Sequence, residues 1–220
     1  MGHAMISGAS QAPQPAALIP YLHEPALSWD ISYEWGGARL ESPWARLGLS
    51  VKGDRLQVQV SSLWTQGPPP GPPPGALWGL WESEVVECFI VGAEGRYLEL
   101  ELGPFEHHLA ISLSGVREPE RWCLPVELRC ERQRSTHGSL GAWRAEAELS
   151  LSALPPPLMI DDPERPGASA AAYRVNAFAC VGPLGDTARR YLLASPLEGA
   201  RPDFHQPERF PITLARSLEA

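Results

Sequence analysis

Acidic residues are concentrated in one short segment, residues 80–108, which reads LWESEVVECFIVGAEGRYLELELGPFEHH. The segment places four of its glutamates close to one another, Glu84, Glu87, Glu99 and Glu101, with His107 and His108 just beyond them. Carboxylates can orient a polar ligand through charge-assisted hydrogen bonds, and a pair of them can act as acid and base on a glycosidic bond. Four glutamates on the two arms of one hairpin are too abundant to indicate hydrolysis by themselves, so the elements that carry them decide between these roles.

The segment predicts a β-hairpin with arms at residues 84–91 and 96–102. In the second arm, Tyr97, Glu99 and Glu101 alternate with three leucines that must face the core. The first arm is largely apolar on both faces, which is typical of a central strand that is covered on both sides.

Glu87 does not fit an ordinary hairpin. A plain four-residue loop would pair Glu87 with Leu100 and point its carboxylate into the leucine core. A slip of one residue would pair it with Glu99 or Glu101 instead, and these two glutamates can themselves face solvent. A carboxylate in this strand needs a cation, a hydrogen-bond donor or a raised pKa, so Glu87 is expected to form a structural ion pair, bind a ligand or act in catalysis. The candidate donors are Arg96, Arg174, Arg189 and Arg190.

Aromatic and imidazole side chains extend the set of candidate groups. Trp78 and Trp81 follow a proline-rich loop, and an exposed tryptophan beside carboxylates could stack on a sugar, although buried tryptophan is ordinary in a sandwich. His205 lies in the segment PDFHQPERF, where it is either part of an ordered corner or a site residue. His107 and His108 would point to opposite faces of a strand, so no shared metal site is expected.

The composition narrows the class of partner. The chain has 220 residues and a formal net charge of −8, with only 18 lysines and arginines, which argues against a nucleic-acid partner and against docking on an anionic membrane. No apolar run approaches the ~18 residues of a membrane span, and the N-terminal segment does not resemble a secretory leader. No nucleotide, metal or haem motif occurs, so no cofactor is predicted. Four widely spaced cysteines fit free thiols in a cytoplasmic protein, with a Cys123–Cys130 bridge as the alternative.

Short alternating runs separated by glycine, proline and aspartate turns recur along the chain and indicate about ten strands. This pattern predicts an all-β fold, an antiparallel β-sandwich of the jelly-roll or immunoglobulin type with long proline-rich loops. We expect a disordered tail at residues 1–17 and a single domain over residues 18–220. The loop QGPPPGPPPGA at residues 66–76 is either a stiff surface excursion or a segment that recruits a proline-binding partner.

Several segments, taken in order, resemble a little-studied family of single-domain proteins found in bacteria and animals, which have a DOMON-like fold related to the family 9 carbohydrate-binding modules. The matching segments are LWESEVVECFI, RYLELELGP, HHLAISLSG, YRVNAFACVG, RRYLLASP and PDFHQPERF. The resemblance covers roughly residues 28–214. It implies a sandwich of two antiparallel sheets that holds a ligand, above all a sugar, at one end or on the concave face.

The resemblance also suggests which residues bind the ligand. In the sugar-binding relatives an acidic residue of a D-x-V-E-x-F-like strand helps to bind the sugar, and Glu87 stands at the matching position. An asparagine on a late strand matches Asn176. Those modules clamp the sugar between two tryptophans, and this chain offers Tyr191 where the later tryptophan is expected. Their calcium sites have no obvious match here.

These observations predict a non-catalytic, carbohydrate-binding-like domain that holds a polar small molecule or a glycan. The residues predicted to bind it are Glu87, Glu101, Asn176, Arg190 and His205, with Trp81 or Tyr97 stacking on it. One alternative is a sugar-modifying enzyme that uses Glu87 or His205 as acid or base, and another is an interaction module that uses the proline-rich loop. The oligomeric state is left open.

Overall fold

A computed structural model describes residues 17–135, 139–182, 185 and 187–219, so the predicted tail lies, apart from residue 17, outside the described residues. These residues form fifteen strands joined by turns and short 3₁₀ segments. The strands are β1 (Leu27–Ile31), β2 (Tyr33–Glu34), β3 (Ala45–Lys52), β4 (Arg55–Trp64), β5 (Gly75–Ala76), β6 (Val85–Val91), β7 (Tyr97–Leu102), β8 (His107–Gly115), β9 (Glu118–Trp122), β10 (Glu127–Gln133), β11 (Gly141–Ser150), β12 (Leu158–Asp161), β13 (Ser169–Val181), β14 (Arg190–Leu193) and β15 (Ile212–Leu214).

The strands form two sheets that pack as a sandwich, which confirms the predicted fold class. The first sheet has the order β1-β3-β4-β11-β10, and the second has the order β2-β14-β13-β6-β7-β8-β5 with β9, β12 and β15 at its margins. All pairs of these strands are antiparallel except β5 with β8. The number of strands exceeds the predicted ten because several are only two to four residues long, too short to give an alternating pattern.

The main core lies between the two sheets. On β4 the inward residues are Leu56, Val58 and Val60, and on β7 they are Leu98, Leu100 and Leu102, all of them buried. This arrangement confirms that the leucines of the second hairpin arm face the core. The glutamates that alternate with them must then lie on the outer face of the second sheet.

The outer face of the second sheet carries a second apolar cluster. Its phenylalanines are Phe89, Phe178, Phe204 and Phe210, and the segment 197–210 contributes two of these four rings. Phe178 and Phe204 stack with ring centroids 4.2 Å apart. Strands β6, β7 and β13 are therefore covered on both faces, as predicted for the first hairpin arm.

The β6–β7 hairpin adopts the slipped register. Val91 pairs with Tyr97, so that Glu87 lies opposite Glu101. The loop gains one residue because Glu94 and Gly95 both adopt the left-handed conformation, with φ of 58° and 69°. The carboxylate of Glu87 thus joins the other glutamates on the outer face and does not enter the leucine core.

The proline-rich loop is joined to the second sheet at its end. After the loop, β5 pairs with the start of β8, and the His107 imidazole bonds the Pro72 carbonyl oxygen through Nε2 at 2.9 Å. Most of the prolines in this loop are exposed.

The four cysteines are free thiols, so the alternative of a Cys123–Cys130 bridge is wrong. Within the described ranges, no helix has the length and apolar character needed to cross a bilayer.

Candidate functional site

Three carboxyl groups share the outer face of β6 and β7, and all three are buried. Glu87 is 3% exposed, Glu99 is 5% exposed and Glu101 is fully buried. The expectation that Glu99 and Glu101 face solvent is therefore wrong. The reason is that the 3₁₀ turn Leu80–Glu82 and the loop that carries His205 cover this part of the sheet.

Burial and mutual repulsion raise the pKa of each carboxyl in this cluster. Burial raises the pKa of Glu87 to about 7, against the stabilising effects of the Cys180 thiol and the Arg189 guanidinium. Burial and the nearby charge of Glu87 raise the pKa of Glu99 to about 8. The pKa of Glu101 lies well above its ordinary value because of burial and the charges of both neighbours. At neutral pH the cluster therefore holds protons that ordinary surface glutamates would have lost.

Glu101 is the least satisfied member of the cluster. Neither of its carboxyl oxygens has a hydrogen-bond partner of acceptable geometry among the described residues, although the Glu99 carboxyl and the Trp81 backbone lie near it. Glu87, by contrast, accepts a hydrogen bond from the Cys180 thiol at 3.3 Å. A buried polar group without a partner costs about 1–3 kcal/mol, and the nearby Glu99 carboxyl and Trp81 backbone reduce this cost at Glu101.

A cavity of about 400 Å³ opens above these carboxyls. Its walls carry acidic, basic and aromatic side chains together. The lining residues are Trp78, Trp81, Glu87, Glu99, Ile111, Leu113, Arg117, Pro119, Cys180, Arg189, Tyr191, Pro202, Asp203, Phe204 and His205. A cavity of this size with a few converging polar groups has the character of a small-molecule site.

His205 is held in one orientation by a short hydrogen-bond network. Its Nδ1 lies 2.7 Å from the Tyr97 hydroxyl, and that hydroxyl already accepts a hydrogen bond from the Arg117 backbone N–H. The hydroxyl oxygen keeps a second lone pair, so the direction of this bond depends on the tautomer of the ring: with the imidazole proton on Nε2, the hydroxyl donates to Nδ1. Asp203 accepts hydrogen bonds from the His205 backbone and from the Arg117 guanidinium. Burial first, and then the Arg117 charge, lower the pKa of His205 to about 4, so the ring is neutral at physiological pH.

Arg189 fastens the covering turn to the sheet. Its guanidinium donates to the backbone carbonyls of Trp81 and Gly182 and lies over the Tyr191 ring, 5.2 Å from the ring centroid. Its positive charge also lowers the pKa of Glu87. Arg189 is thus the one of the four candidate arginines that acts electrostatically on Glu87.

Three tryptophans form a ridge from the cavity to the outer surface. The rings of Trp81 and Trp78 meet edge to face with centroids 5.3 Å apart, and those of Trp78 and Trp122 meet in the same way at 5.7 Å. Trp78 and Trp122 are 50% and 55% exposed. Only the first two line the cavity, so Trp122 marks the outer end of the ridge.

The residues predicted to bind a ligand divide between the cavity and its surroundings. Glu87, His205 and Trp81 line the cavity. Glu101 and Tyr97 lie behind the lining: Glu101 pairs across the sheet with Glu87, and Tyr97 holds His205. The Tyr97 ring is buried and stacks on Phe89, so it is not exposed for stacking on a ligand in this conformation.

The two remaining predicted residues, Asn176 and Arg190, also lie outside the cavity lining. The Asn176 side chain accepts hydrogen bonds from the Ser195 and Ala177 backbone N–H groups and donates one to the Ser195 carbonyl. It therefore continues the β13–β14 pairing beyond the last paired residues. Arg190 forms an ion pair with Glu34, and its guanidinium lies over a tryptophan ring of the main core.

Sequence reasoning missed several lining residues. Cys180 could have been found, because it stands four residues after Asn176 on β13 and residues at even spacing on a strand share a face. Arg117 gave no signal, since it lies in the β8–β9 turn with a positive φ of 60°. Glu99 was seen but was assigned to solvent, because the segments that bury it are remote in sequence.

Comparison with known proteins gives one line of sequence similarity and one of structural similarity. The chain is 29% identical to the UPF0462 protein C4orf33 homolog of Danio rerio over 189 residues, which is 82% of this chain and 85% of the relative. It is also 29% identical to the UPF0462 protein C4orf33 of Homo sapiens over 191 residues, 84% and 86% of the two chains. No family model matches the chain.

Among solved structures, the fold is similar to that of a Bacteroides uniformis protein described as "a putative carbohydrate-binding protein". The TM-score is 0.60 at 16% identity, over 85% of this chain and 84% of the other. A family 9 carbohydrate-binding module from Caldicellulosiruptor kristjanssonii, solved with cellotriose, aligns at a TM-score of 0.39, which is too low to argue from. The resemblance predicted from the motifs is thus confirmed. The sequence is similar to the UPF0462 proteins over more than four fifths of the chain, and the fold is similar to that of the Bacteroides protein.

Proposed function

We propose that this chain is a non-catalytic, carbohydrate-binding-like domain that holds a polar small ligand in the cavity above Glu87 and Glu99. The observation that carries the proposal is that hydrogen-bonding and aromatic side chains line the same cavity. Carboxyl, guanidinium and imidazole groups can bond the hydroxyls of a sugar, while Trp81 and Tyr191 offer ring surfaces for its C–H groups. The location of the protein in the cytoplasm stays a prediction from the sequence.

The fold comparison supports this proposal at the level of architecture. The Bacteroides protein of the same fold is described as carbohydrate-binding, and that description belongs to that protein. A shared fold does not transfer a ligand, because function depends on the side chains of the site. The weight of the proposal therefore rests on the cavity of this chain.

Titration of the protein with a panel of hexoses, hexosamines and short glycans tests the proposal. Binding is measured by isothermal calorimetry and by changes in amide chemical shifts. We expect at least one sugar to bind, with shifts concentrated around Glu87 and His205. Glu87→Gln should weaken that binding about tenfold or more, because it removes an acceptor that ionises near neutral pH. Glu131→Gln is the matched control, since Glu131 is an exposed residue that pairs with Arg144 on the other sheet. If no sugar gives heat or shifts, and Glu87→Gln alters only stability, the proposal fails.

One observation favours a second candidate, a sugar-modifying enzyme. Glu87 lines an open cavity with its pKa raised to about 7, which is the range suited to a general acid or base at neutral pH. Assays with chromogenic glycosides over pH 5–9 test this reading. Turnover that is lost in Glu87→Gln, in a variant that still binds the substrate, would establish the enzyme. Binding without turnover would favour the non-catalytic domain.

A further inference from the structure

We propose that the cavity selects a cationic ligand, a protonated amino sugar, over a neutral sugar of the same shape. The inference rests on the proposed function and adds the charge of the ligand to it. Three features carry it: the balance of charged groups around the cavity, the unpaired carboxyl behind its floor, and the aromatic wall beside it.

The charged groups around the cavity are unequal in number. Its carboxyl groups are those of Glu87, Glu99, Glu101 and Asp203, and its guanidinium groups are those of Arg117 and Arg189. His205 is neutral at physiological pH. With every carboxyl ionised, four negative charges would face two positive ones. The site therefore lacks two positive charges, which protons supply when it is empty.

Both guanidiniums already have partners, although the Arg189 Nε has no hydrogen-bond partner among the described residues. Arg117 pairs with Asp203 at 2.8 Å, so these two charges offset each other. Arg189 is bonded to backbone carbonyls of the covering turn and lies over Tyr191. The unbalanced charge is thus that of the three glutamates, and a cation is the ligand that can offset it.

Glu101 gives the second feature. Its two oxygens are fully buried and have no hydrogen-bond partner of acceptable geometry among the described residues. A neutral hydroxyl in the cavity cannot relieve the repulsion between Glu101 and its neighbours Glu87 and Glu99. An ammonium group beside Glu87 and Glu99 can, because it carries positive charge close to all three carboxyls.

The aromatic wall supplies the third feature. Trp78, Trp81 and Tyr191 line the same cavity as Glu87 and Glu99, and one face of the Tyr191 ring is already covered by the Arg189 guanidinium. Indole and phenol faces attract cations through their ring quadrupoles, and a cation held between such rings and carboxylates is stabilised from both sides. A neutral sugar would use only the apolar surface of these rings.

Bound protons are the competitor of the cationic ligand. The titratable and charged groups packed against the cluster are Cys180 from β13, Arg189 before β14, Tyr97 on β7, and Arg117, Asp203 and His205 at the far wall. Of the four carboxyls around the cavity, those of Glu87, Glu99 and Glu101 have raised pKa values. An arriving ammonium should lower those pKa values and release protons to the buffer.

The test compares glucosamine with glucose, a neutral sugar of nearly the same shape, and with N-acetylglucosamine, in which a bulkier acetyl group removes the charge of the amine. Titration calorimetry at pH 6.5, where the free amine carries its proton, should give glucosamine an affinity about tenfold or more above the other two. Repeating the glucosamine titration in buffers of different ionisation enthalpy should show net proton release. Equal binding of all three probes overturns the inference and leaves the proposed function standing, whereas binding of none overturns both.

A matched pair of variants locates the effect. Glu99→Gln removes from the cavity a carboxyl that an arriving ammonium can cause to ionise, and Glu131→Gln removes an exposed carboxylate from the other sheet. Glu99→Gln should weaken the binding of glucosamine more than the binding of glucose, so that the preference for glucosamine over glucose falls about tenfold. Glu131→Gln should leave both unchanged. If the two variants reduce the preference equally, the effect is one of overall charge and the inference is wrong.

Discussion

Glu87 and Glu101 lie directly opposite each other on neighbouring antiparallel strands, with both carboxyls turned away from the main core and both buried. Like charges in opposed positions of a sheet destabilise it, and here the surroundings are also poor in water. The sheet tolerates the pair because protons take the place of a counterion, as the raised pKa values indicate. Stability and ligand binding should therefore both depend on how many protons the cluster holds.

Raising the pH from 5 to 8 should destabilise the folded chain. The pKa values of Glu87 and Glu99 are about 7 and about 8 in the folded state, against an ordinary value of 4.5, so the folded state binds more protons than the unfolded state in this range. The stability that this difference provides is present below pH 4.5 and is lost as the pH rises through 7 to 8. The loss should be on the order of a few kcal/mol, measured by urea unfolding at a series of pH values.

Glu99→Gln should make this pH dependence shallower, because one buried titrating group is gone and its repulsion with Glu87 goes with it. Glu131→Gln, an exposed residue on the other sheet, serves as the control and should leave the slope unchanged. A stability that rises between pH 6.5 and 8 in the wild-type chain would contradict the prediction.

The His205 imidazole should be neutral, with its proton on Nε2, down to about pH 5. We expect the Tyr97 hydroxyl to donate to Nδ1, which lies 2.7 Å from it, and burial lowers the ring's pKa to about 4. Nitrogen chemical shifts of the imidazole ring measure both properties directly. Tyr97→Phe should mix the two tautomers and reduce stability by about 1–2 kcal/mol, since the Arg117 N–H also loses its acceptor. A ring protonated on Nδ1 at pH 7 would show the network to be wrong.

The sequence predicts those features of this site that depend on local patterns, and it does not predict those that depend on distant segments. Alternation on β7 gives the faces of Glu99 and Glu101 correctly, because strand periodicity is local. The register of Glu87 could not be decided, since it depends on the left-handed backbone of Glu94, which no residue preference signals. Burial of the carboxyls could not be foreseen either, because the groups that cover them come from segments about 20 and 100 residues away.

Asn176→Ala should lower stability without changing the cavity. Its side chain satisfies the Ser195 N–H and C=O and the Ala177 N–H, so the substitution leaves backbone groups without partners. The expected loss is about 2–4 kcal/mol by chemical denaturation. The sugar affinity of the folded fraction should stay within about twofold of wild type, because Asn176 lies outside the cavity lining. A larger loss of affinity in a variant that is fully folded would return Asn176 to the binding site that sequence reasoning assigned to it.

The tryptophan ridge predicts a contrast between its two ends. Trp81 lines the cavity, whereas Trp122 lies 55% exposed beyond Trp78. Trp81→Ala should reduce affinity for the best-binding sugar of the panel about tenfold, and Trp122→Ala less than threefold, because aromatic anchors in a desolvated pocket contribute most of the binding energy. Trp81→Phe keeps an apolar ring in place and should retain most of the affinity, which separates ligand contact from folding. Equal losses in Trp81→Ala and Trp122→Ala, with unchanged thermal unfolding, would mean that the ligand runs along the whole ridge, so that the cavity forms only one end of a longer site.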